Sequence, residues 1–275
     1  MTATSARFGS YEFTVLRDGI FETPKEMLAH LDGEAARERV LAAWPGEKVA
    51  FDVNCFLLRG PDGLTLIDAG TGTAWGPSLG KARQALRDLG IEPAAIDRVL
   101  LTHLHGDHAL GLFQDGGAWL PQAQILVPEA ELAFFTDETA KASLPESRQG
   151  AFKTAAGLLD LYRGRLSTIG SGPVPGVTDI EAVPLPGHTL GQMGYRLGSG
   201  PDALLIWADA LHLIDVQTAD PRAALNFDLD AHMAGRTRLA MLEQAAMEGW
   251  LVTGSHVRGL GRITRKDGAF AFTPV

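Results

Sequence analysis

Residues 100–112 read LLTHLHGDHALGL and place three histidines and an aspartate within six positions, directly after an apolar run. The four side chains are His103, His105, Asp107 and His108. Imidazole nitrogens and carboxylate oxygens are common ligands of divalent metal ions. Packing does not explain so dense a group, because protein cores use apolar side chains. The pattern therefore predicts a metal-binding loop.

The spacing within this loop indicates two neighbouring metal positions. His103 and His105 are two residues apart, and an extended chain puts such side chains on one side, where both can hold one ion. Gly106 lets the chain turn sharply, so that Asp107 and His108 can begin a helix aimed at a second point. Two adjacent metal sites are therefore geometrically reasonable.

Three further candidate ligands each follow an apolar segment. They are His188 in PLPGHTLGQ, Asp209 in IWADALH and His256 in LVTGSH. An aspartate at a strand end is more often a helix cap, so the prediction depends on the whole set. Five histidines and two aspartates suit two divalent ions that share a bridging carboxylate. Zn²⁺ is the first choice, and Mn²⁺, Fe²⁺ and Co²⁺ are alternatives.

The elements around these residues indicate an α/β layered fold. The clearest helices are GKARQALRDLG, closed by Gly90, and DAHMAGRTRLAMLEQAAMEG, with Asp230 as N-cap and Gly249 as the C-terminal stop. Apolar and alternating runs between the helices predict strands. No Ser-, Gly- or Pro-rich linker divides the sequence. We therefore expect one domain over residues 1–275, with a helical insertion around 136–160 that walls or covers the site.

Two segments of the chain resemble each other. Residues 59–70 (RGPDGLTLIDAG) and 198–211 (GSGPDALLIWADAL) are each a turn, an apolar strand and an aspartate at the strand's end. Related copies would predict two sheets in a pseudo-symmetric sandwich, with the site between their loops. Chance similarity between two hairpins is the alternative.

Composition limits the classes of function. The formal net charge of −9 at pH 7 argues against a broad phosphate-binding surface, so we expect a small-molecule substrate and no nucleic acid. No apolar stretch approaches the roughly 18 residues of a membrane span, and the first residues lack the pattern of a signal peptide. We expect no membrane association and a cytoplasmic location. Cys55 is the single cysteine, so the metal site must use histidines and carboxylates.

The signature His-x-His-x-Asp-His, together with PGHT and the later aspartate and histidine, resembles that of the metallo-β-lactamase-fold hydrolases over about residues 50–260. The resemblance implies an αββα four-layer sandwich with the metal site at the loop edge between two sheets. It also implies the ligands of each ion: His103, His105 and His188 for one, and Asp107, His108 and His256 for the other, with Asp209 bridging. Asp68 in LIDAGTG is similar to the family's aspartate that accepts the other N–H of a ligand histidine. A cap on the following turn is its alternative role.

The region from FDLDAHM to VRGLGRI resembles the branch that contains methyl parathion hydrolases and related lactonases. VRGLG stands where that branch has a proline-containing turn. His212, three residues after Asp209, stands where acyl-homoserine lactonases have a tyrosine that contacts the substrate. We expect His212 to hydrogen-bond the attacked oxygen or to give a proton to the leaving group. A buried polar histidine without a catalytic role is the alternative.

The resemblance implies a hydrolase in which two metal ions share a bridging hydroxide that attacks an ester-like carbonyl or phosphorus, with Asp107, Asp209 and His212 as catalytic residues. The expected substrate is a small lactone or ester, and a phosphotriester is second. Rival functions are a nucleic-acid phosphodiesterase, an iron-dependent persulfide dioxygenase and a non-catalytic metal-binding protein. A homodimer is an expectation drawn from the family alone.

The remaining histidines and several aromatic residues carry weaker expectations. His30, at a helix end, and His232 are predicted to be surface residues. Candidates for lining the pocket are Phe21, Trp75, Phe113, Trp207 and Phe227, with core packing as the alternative for each.

Overall fold

The computed structural model describes residues 5–115 and 117–275. The strands are β1 (Ser5–Phe8), β2 (Tyr11–Pro24), β3 (Leu28–His30), β4 (Lys48–Gly60), β5 (Gly63–Ile67), β6 (Arg98–Leu100), β7 (Phe113–Gln114), β8 (Gly117–Ala118), β9 (Gln124–Pro128), β10 (Leu166–Ile169), β11 (Gly172–Pro173), β12 (Ile180–Pro184), β13 (Met193–Leu197), β14 (Leu204–Ile206), β15 (Ala223–Leu225), β16 (Leu251–Thr253), β17 (Gly261–Lys266) and β18 (Ala269–Pro274). The α-helices are α1 (Glu34–Ala43), α2 (Ala82–Asp88), α3 (Gly106–Ala109), α4 (Glu129–Phe135), α5 (Glu138–Ser143), α6 (Gly150–Leu161), α7 (Ile214–Ala219) and α8 (Ala231–Glu248).

Two seven-stranded sheets form the centre of the molecule. The first has the order β1-β2-β4-β5-β6-β9-β10, and the second has the order β11-β12-β13-β14-β16-β17-β18. Two-stranded pairs, β15-β3 and β7-β8, lie beside them. The first sheet takes its strands from residues 5–169 and the second from residues 172–274, so each sheet is a continuous half of the chain.

Alternating side chains produce the four layers. Phe56 and Leu58 of β4 pack between the sheets against Tyr195 of β13. Leu57, between them in sequence, points the other way into a layer with Leu86 of α2. Helices α4 and α6 join that outer layer, and α8 covers the outer face of the second sheet. This period-2 alternation gives each sheet two buried faces, and the predicted αββα sandwich is confirmed.

The ends of α8 follow the predicted capping residues. The side chain of Asp230 accepts a hydrogen bond from the Met233 amide at 2.8 Å, and Gly249 ends the helix with a φ of 69°. That left-handed conformation is one that glycine adopts at little cost. His232, in the first turn of α8, is exposed as predicted.

The prediction for His30 is wrong. This residue ends the short strand β3, where it pairs with Ala223 of β15, and its side chain is only 4% exposed. Its Nε2 lies 2.9 Å from a carboxylate oxygen of Asp220. A three-residue strand carries too little periodicity to be recognised from sequence.

The similarity between residues 59–70 and 198–211 extends to topology. In the first sheet β4 pairs antiparallel with β5, which pairs parallel with β6; β13, β14 and β16 repeat that arrangement in the second sheet. Asp68, which follows β5, and Ala208, near the end of β14, both have left-handed backbones, with φ values of 59° and 52°. Strained backbone of this kind often occurs at functional sites. The topology therefore favours related copies over chance.

The segment 136–160 is helical, with α5, a 3-10 turn (Glu146–Arg148) and most of α6. The division of the chain into one domain with an insertion here stays a prediction. Within residues 5–115 and 117–275, every helix is too short or too polar to cross a membrane.

Candidate metal centre

Both sheets bring ligand-type residues to one edge. In the first sheet, β5 and β6 run parallel, and Asp68 and His103 follow their carboxyl ends. In the second sheet, β14 and β16 run parallel, and Asp209 and His256 follow theirs. His188 lies in the loop after β12. The carboxyl ends of parallel strands meet at the same edge, so these loops face one another between the two sheets.

The single-turn helix α3 carries Asp107 and His108, as the spacing predicts. The reason for Gly106 differs from the expected sharp turn, because its φ is not in the left-handed region. A Cβ atom on Gly106 would lie 2.6 Å from the ring of Trp75. A larger residue at this position would therefore have to displace the Trp75 side chain.

The first cluster consists of His103, His105 and His188. One ring nitrogen of each lies within 4.8 Å of the others. The closest pair is His105 Nδ1 and His188 Nε2, 2.9 Å apart. Their rings come from different sheets, so this cluster joins the two halves of the molecule.

The second cluster consists of Asp107, His108, Asp209 and His256, again with ligand atoms within 4.8 Å of one another. Asp107 Oδ2 lies 3.6 Å from both His108 Nε2 and His256 Nε2. The structure thus brings together every residue predicted as a ligand of the second ion.

Asp209 contacts both clusters. Its Oδ2 lies 3.4 Å from His188 Nε2 and 2.9 Å from His256 Nε2, and its Oδ1 lies 3.3 Å from His108 Nε2. His212 is close as well, with Nε2 3.2 Å from Asp209 Oδ2 and its ring stacked on that of His256 at 4.8 Å and 13°. Each cluster therefore contributes a histidine nitrogen within 3.4 Å of the Asp209 carboxylate.

The residues present fit two divalent ions. His103 Nε2, His108 Nε2 and Asp209 Oδ1 are buried and have no hydrogen-bond partner among the described residues. Buried polar atoms are normally paired, so three orphaned ligand atoms in one place indicate an absent partner. Imidazole and carboxylate donors suit zinc and neighbouring transition metals.

The electrostatics also favour cations. Burial lowers the pKa of His105 to about 3, which keeps the ring neutral and able to donate a lone pair. Burial opposes charge on His108, yet the carboxylates of Asp209 and Asp107 raise the pKa of that ring well above its usual value. The negative field that holds a proton on His108 would attract a metal ion to the same place.

Asp68 contacts His108 of the second cluster directly and reaches His103 of the first cluster through the hydroxyl of Thr102. Its Oδ2 lies 2.8 Å from His108 Nδ1 and accepts the hydroxyl of Thr102 at 2.9 Å. The same hydroxyl lies 3.1 Å from His103 Nδ1. Such contacts fix which ring nitrogen faces a metal. The carboxylate of Asp68 is thus bound to Thr102 and His108, and its proposed role behind a ligand histidine has the required geometry.

Sequence reasoning missed a second support of this kind. Asp228 Oδ1 lies 3.0 Å from His188 Nδ1, and its Oδ2 lies 3.7 Å from Arg238 Nη2. Arg238 is fully buried in α8 and donates through Nε to the carbonyl of Ala210 at 2.8 Å. An aspartate two residues before a helix cap carries no distinctive signal in sequence, which explains why Asp228 was missed.

A cavity of about 780 Å³ opens onto the clusters. Phe21, Trp75, Phe113 and Phe227 line it as expected, whereas Trp207 lies in the core under α8. Phe51, which no sequence pattern singled out, also lines the cavity. Ser147, Arg148, Ala151, Lys153 and Thr154 show that the helical segment forms one wall.

Comparison with known sequences gives one family. The model of the metallo-beta-lactamase superfamily matches residues 49–256, a span that contains all seven predicted ligands. No curated protein sequence matches the chain.

Solved structures with the same fold include several hydrolases. AbOPH, a hydrolase in the beta lactamase superfamily, is 26% identical, with a TM-score of 0.87 over 99% of this chain and 97% of that one. AidC, a dizinc quorum-quenching lactonase solved with a product, is 22% identical, with a TM-score of 0.88 over the same shares of the two chains. A probable metal-dependent hydrolase from Staphylococcus aureus is 19% identical, with a TM-score of 0.75 over 98% of this chain and 99% of that one.

Proposed function

The chain belongs to the metallo-β-lactamase superfamily and is one of its hydrolases, and we propose that it hydrolyses a lactone or an ester in a small molecule. The observation that carries the proposal is the cavity of about 780 Å³, which has aromatic walls and ends on the two ligand clusters. Cavities of this size hold small molecules. The likeness to AidC, described as a quorum-quenching lactonase, supports a lactone as first choice.

The proposed metal ligands follow the two clusters. His103, His105 and His188 would hold one ion, Asp107, His108 and His256 would hold the other, and Asp209 would contact both. When bound, two divalent ions supply a Lewis acid for the attacked carbonyl and a source of hydroxide near neutral pH. Zn²⁺ is our first choice because the nitrogen and oxygen donors suit it, and AidC is described as a dizinc enzyme.

The chain's own side chains position the substrate. Phe21, Phe51 and Phe227 lie around one side of the cavity, with Phe21 and Phe51 ring centroids 5.5 Å apart. These rings would hold the apolar part of a substrate and exclude water from the reacting group.

His212 also lines the cavity, beside Asp209. From that position an N–H of its ring would hydrogen-bond the attacked oxygen or the leaving group of the substrate. We therefore propose His212 as a catalytic residue.

The test combines metal analysis with a substrate screen. Protein supplied with Zn²⁺ or Mn²⁺ should contain two ions per chain, and removal of metal by a chelator should abolish hydrolysis until metal is restored. Among acyl-homoserine lactones, simple lactones, aryl esters and phosphotriesters, a lactone or ester should give the highest kcat/KM. Hydrolysis of phosphotriesters alone, or cleavage of RNA or DNA, would reject the proposed substrate. Activity that survives complete metal removal would reject the metal requirement.

A further inference from the structure

Glu131, in the first turn of α4, has a buried carboxylate that the proposed reaction does not use. The residue is 0% exposed. Its Oε1 accepts a hydrogen bond from the Leu104 amide at 3.0 Å, and its Oε2 accepts from the Thr189 hydroxyl at 2.7 Å and the Gly191 amide at 3.1 Å. All three donors are neutral groups. Burying a carboxylate costs free energy, and three hydrogen bonds offset part of that cost. The position of these three donors indicates what the buried carboxylate does.

The three donors share a location. Leu104 lies between His103 and His105, and Thr189 directly follows His188. One carboxylate therefore connects the two loops that carry the three histidines of the first cluster. None of these hydrogen bonds is made to a residue of the second cluster, which consists of Asp107, His108, Asp209 and His256.

The close approach of α4 to the second loop depends on Gly191. A Cβ atom there would lie 2.1 Å from the backbone nitrogen of Glu131, a distance that no side chain allows. The second glycine in PGHTLGQ, Gly191, thus permits the contact between helix and loop. This packing places the carboxylate between the two loops.

We propose that Glu131 is a positioning residue that holds the three-histidine cluster in shape and sets the metal affinity of that cluster without touching the ion. The inference rests on the proposed function, because it takes the cluster to be a metal site. Partners of metal ligands commonly change metal affinity by about 10- to 100-fold when they are removed.

The test measures Co²⁺ affinity at each cluster separately. His256→Ala removes a ligand of the second cluster, and His105→Ala removes a ligand of the first. Glu131→Gln is placed in each of these backgrounds, and Co²⁺ binding is followed by titration and visible absorption. Glu129→Gln, at an exposed position in the same helix, is the matched control.

Glu131→Gln should weaken Co²⁺ binding about 10- to 100-fold in the His256→Ala background and leave it unchanged in the His105→Ala background. Glu129→Gln should change neither. Equal weakening in both backgrounds, or no weakening in the first, would overturn the inference. If the unmodified chain binds no Co²⁺, the proposed function fails instead.

Thr189→Val provides a second route that does not alter α4. It removes one of the three donors at nearly constant volume, so it should produce a smaller loss of Co²⁺ affinity, again only in the His256→Ala background. If Glu131→Gln fails to fold by far-ultraviolet circular dichroism, this variant decides the question. Unchanged affinity in that background would then overturn the inference.

Discussion

At the scale of single residues, Asp209 presents its two carboxylate oxygens to different histidine rings. Oδ1 faces His108, whereas Oδ2 faces His188 and His256. An asparagine would keep the shape of the side chain, but its NH₂ group cannot bind a cation and it carries no charge. A carboxylate is therefore the group that can contact two ions at once.

Asp209→Asn should keep the fold and lower kcat/KM by about 10²-fold or more, because the proposed site loses its shared charge. Under limiting metal, elemental analysis should return fewer than two ions per chain. Asp202→Asn, at an exposed position, is the control. Unchanged activity with two ions bound would show that Asp209 does not bridge.

His212→Ala should lower kcat/KM by roughly tenfold or more, toward the ~10²–10⁴ range of general acid–base residues, while metal content stays at two. The reason is its place beside Asp209 on the cavity wall. His232→Ala, on an exposed turn of α8, provides the matched histidine control. If metal is lost instead, His212 acts as a ligand, for which its grouping with His188 and Asp209 offers a geometry.

Metal ligands are recognisable in sequence because several histidines and aspartates seldom occur close together without a metal-binding role. The seven predicted ligands therefore come together in the structure, although their roles stay proposals. Other residues support the site from parts of the chain distant in sequence. Asp228 contacts His188, Glu131 accepts the Leu104 amide, and Arg238 donates to the carbonyl of Ala210. Single acidic and basic residues of this kind are common in every chain, so their contacts become visible only in three dimensions.

At the scale of elements, an irregularity in β2 holds one wall of the cavity. The pairing of β2 with β4 shifts between Arg17 and Gly19, which leaves Asp18 outside the regular register. Its carboxylate accepts the Thr71 amide and hydroxyl, the Gly80 amide and the Ala82 amide at 2.7–3.1 Å. These hydrogen bonds hold both ends of the loop between Thr71 and Ala82. Trp75, in the middle of this loop, lines the cavity.

Asp18→Ala should lower the free energy of unfolding by about 2–4 kcal/mol, because buried amide donors lose their acceptor. Binding of bulky substrates should weaken, since Trp75 loses its fixed position. Urea unfolding and KM for short and long acyl substrates measure the two effects. Asp202→Ala should change neither quantity, and wild-type stability in Asp18→Ala would contradict the role of the bulge.

Long elements were predictable because their patterns repeat. The eighteen residues of α8 lie between the predicted caps Asp230 and Gly249, and the apolar run DVNCFLLR predicts a strand over residues 52–59, which is part of the thirteen-residue β4. Strands of three residues, such as β3 and β15, show neither. Their pairing depends on residues almost 200 positions apart, which local patterns do not encode.

At the scale of the whole molecule, a polar contact joins the two sheets at a distance from the proposed site. Tyr11, in the first sheet, donates its hydroxyl hydrogen to Asp62 Oδ2 at 2.8 Å. The amide of Thr178, before β12 of the second sheet, donates to the same oxygen at 2.7 Å. Burial and the bond to Asp62 raise the pKa of Tyr11 to about 12.

This pKa gives a prediction for alkaline stability. Because the folded pKa lies above the ordinary value of 10.0, the stabilising contribution of Tyr11 is present below pH 10 and is lost as pH rises toward about 12. The difference in unfolding free energy between the wild type and Tyr11→Phe should shrink over that range. Denaturant unfolding at several pH values measures it. A difference that is constant with pH would refute the prediction.

The division of the two sheets between consecutive halves of the chain has a consequence for assembly. The half before residue 170 contributes His103, His105, Asp107 and His108, and the half after it contributes His188, Asp209 and His256. Neither half holds a complete set for either proposed ion. Full metal occupancy would therefore require that the two halves have folded against each other. Bound metal would in turn stabilise the folded chain against separation of the halves.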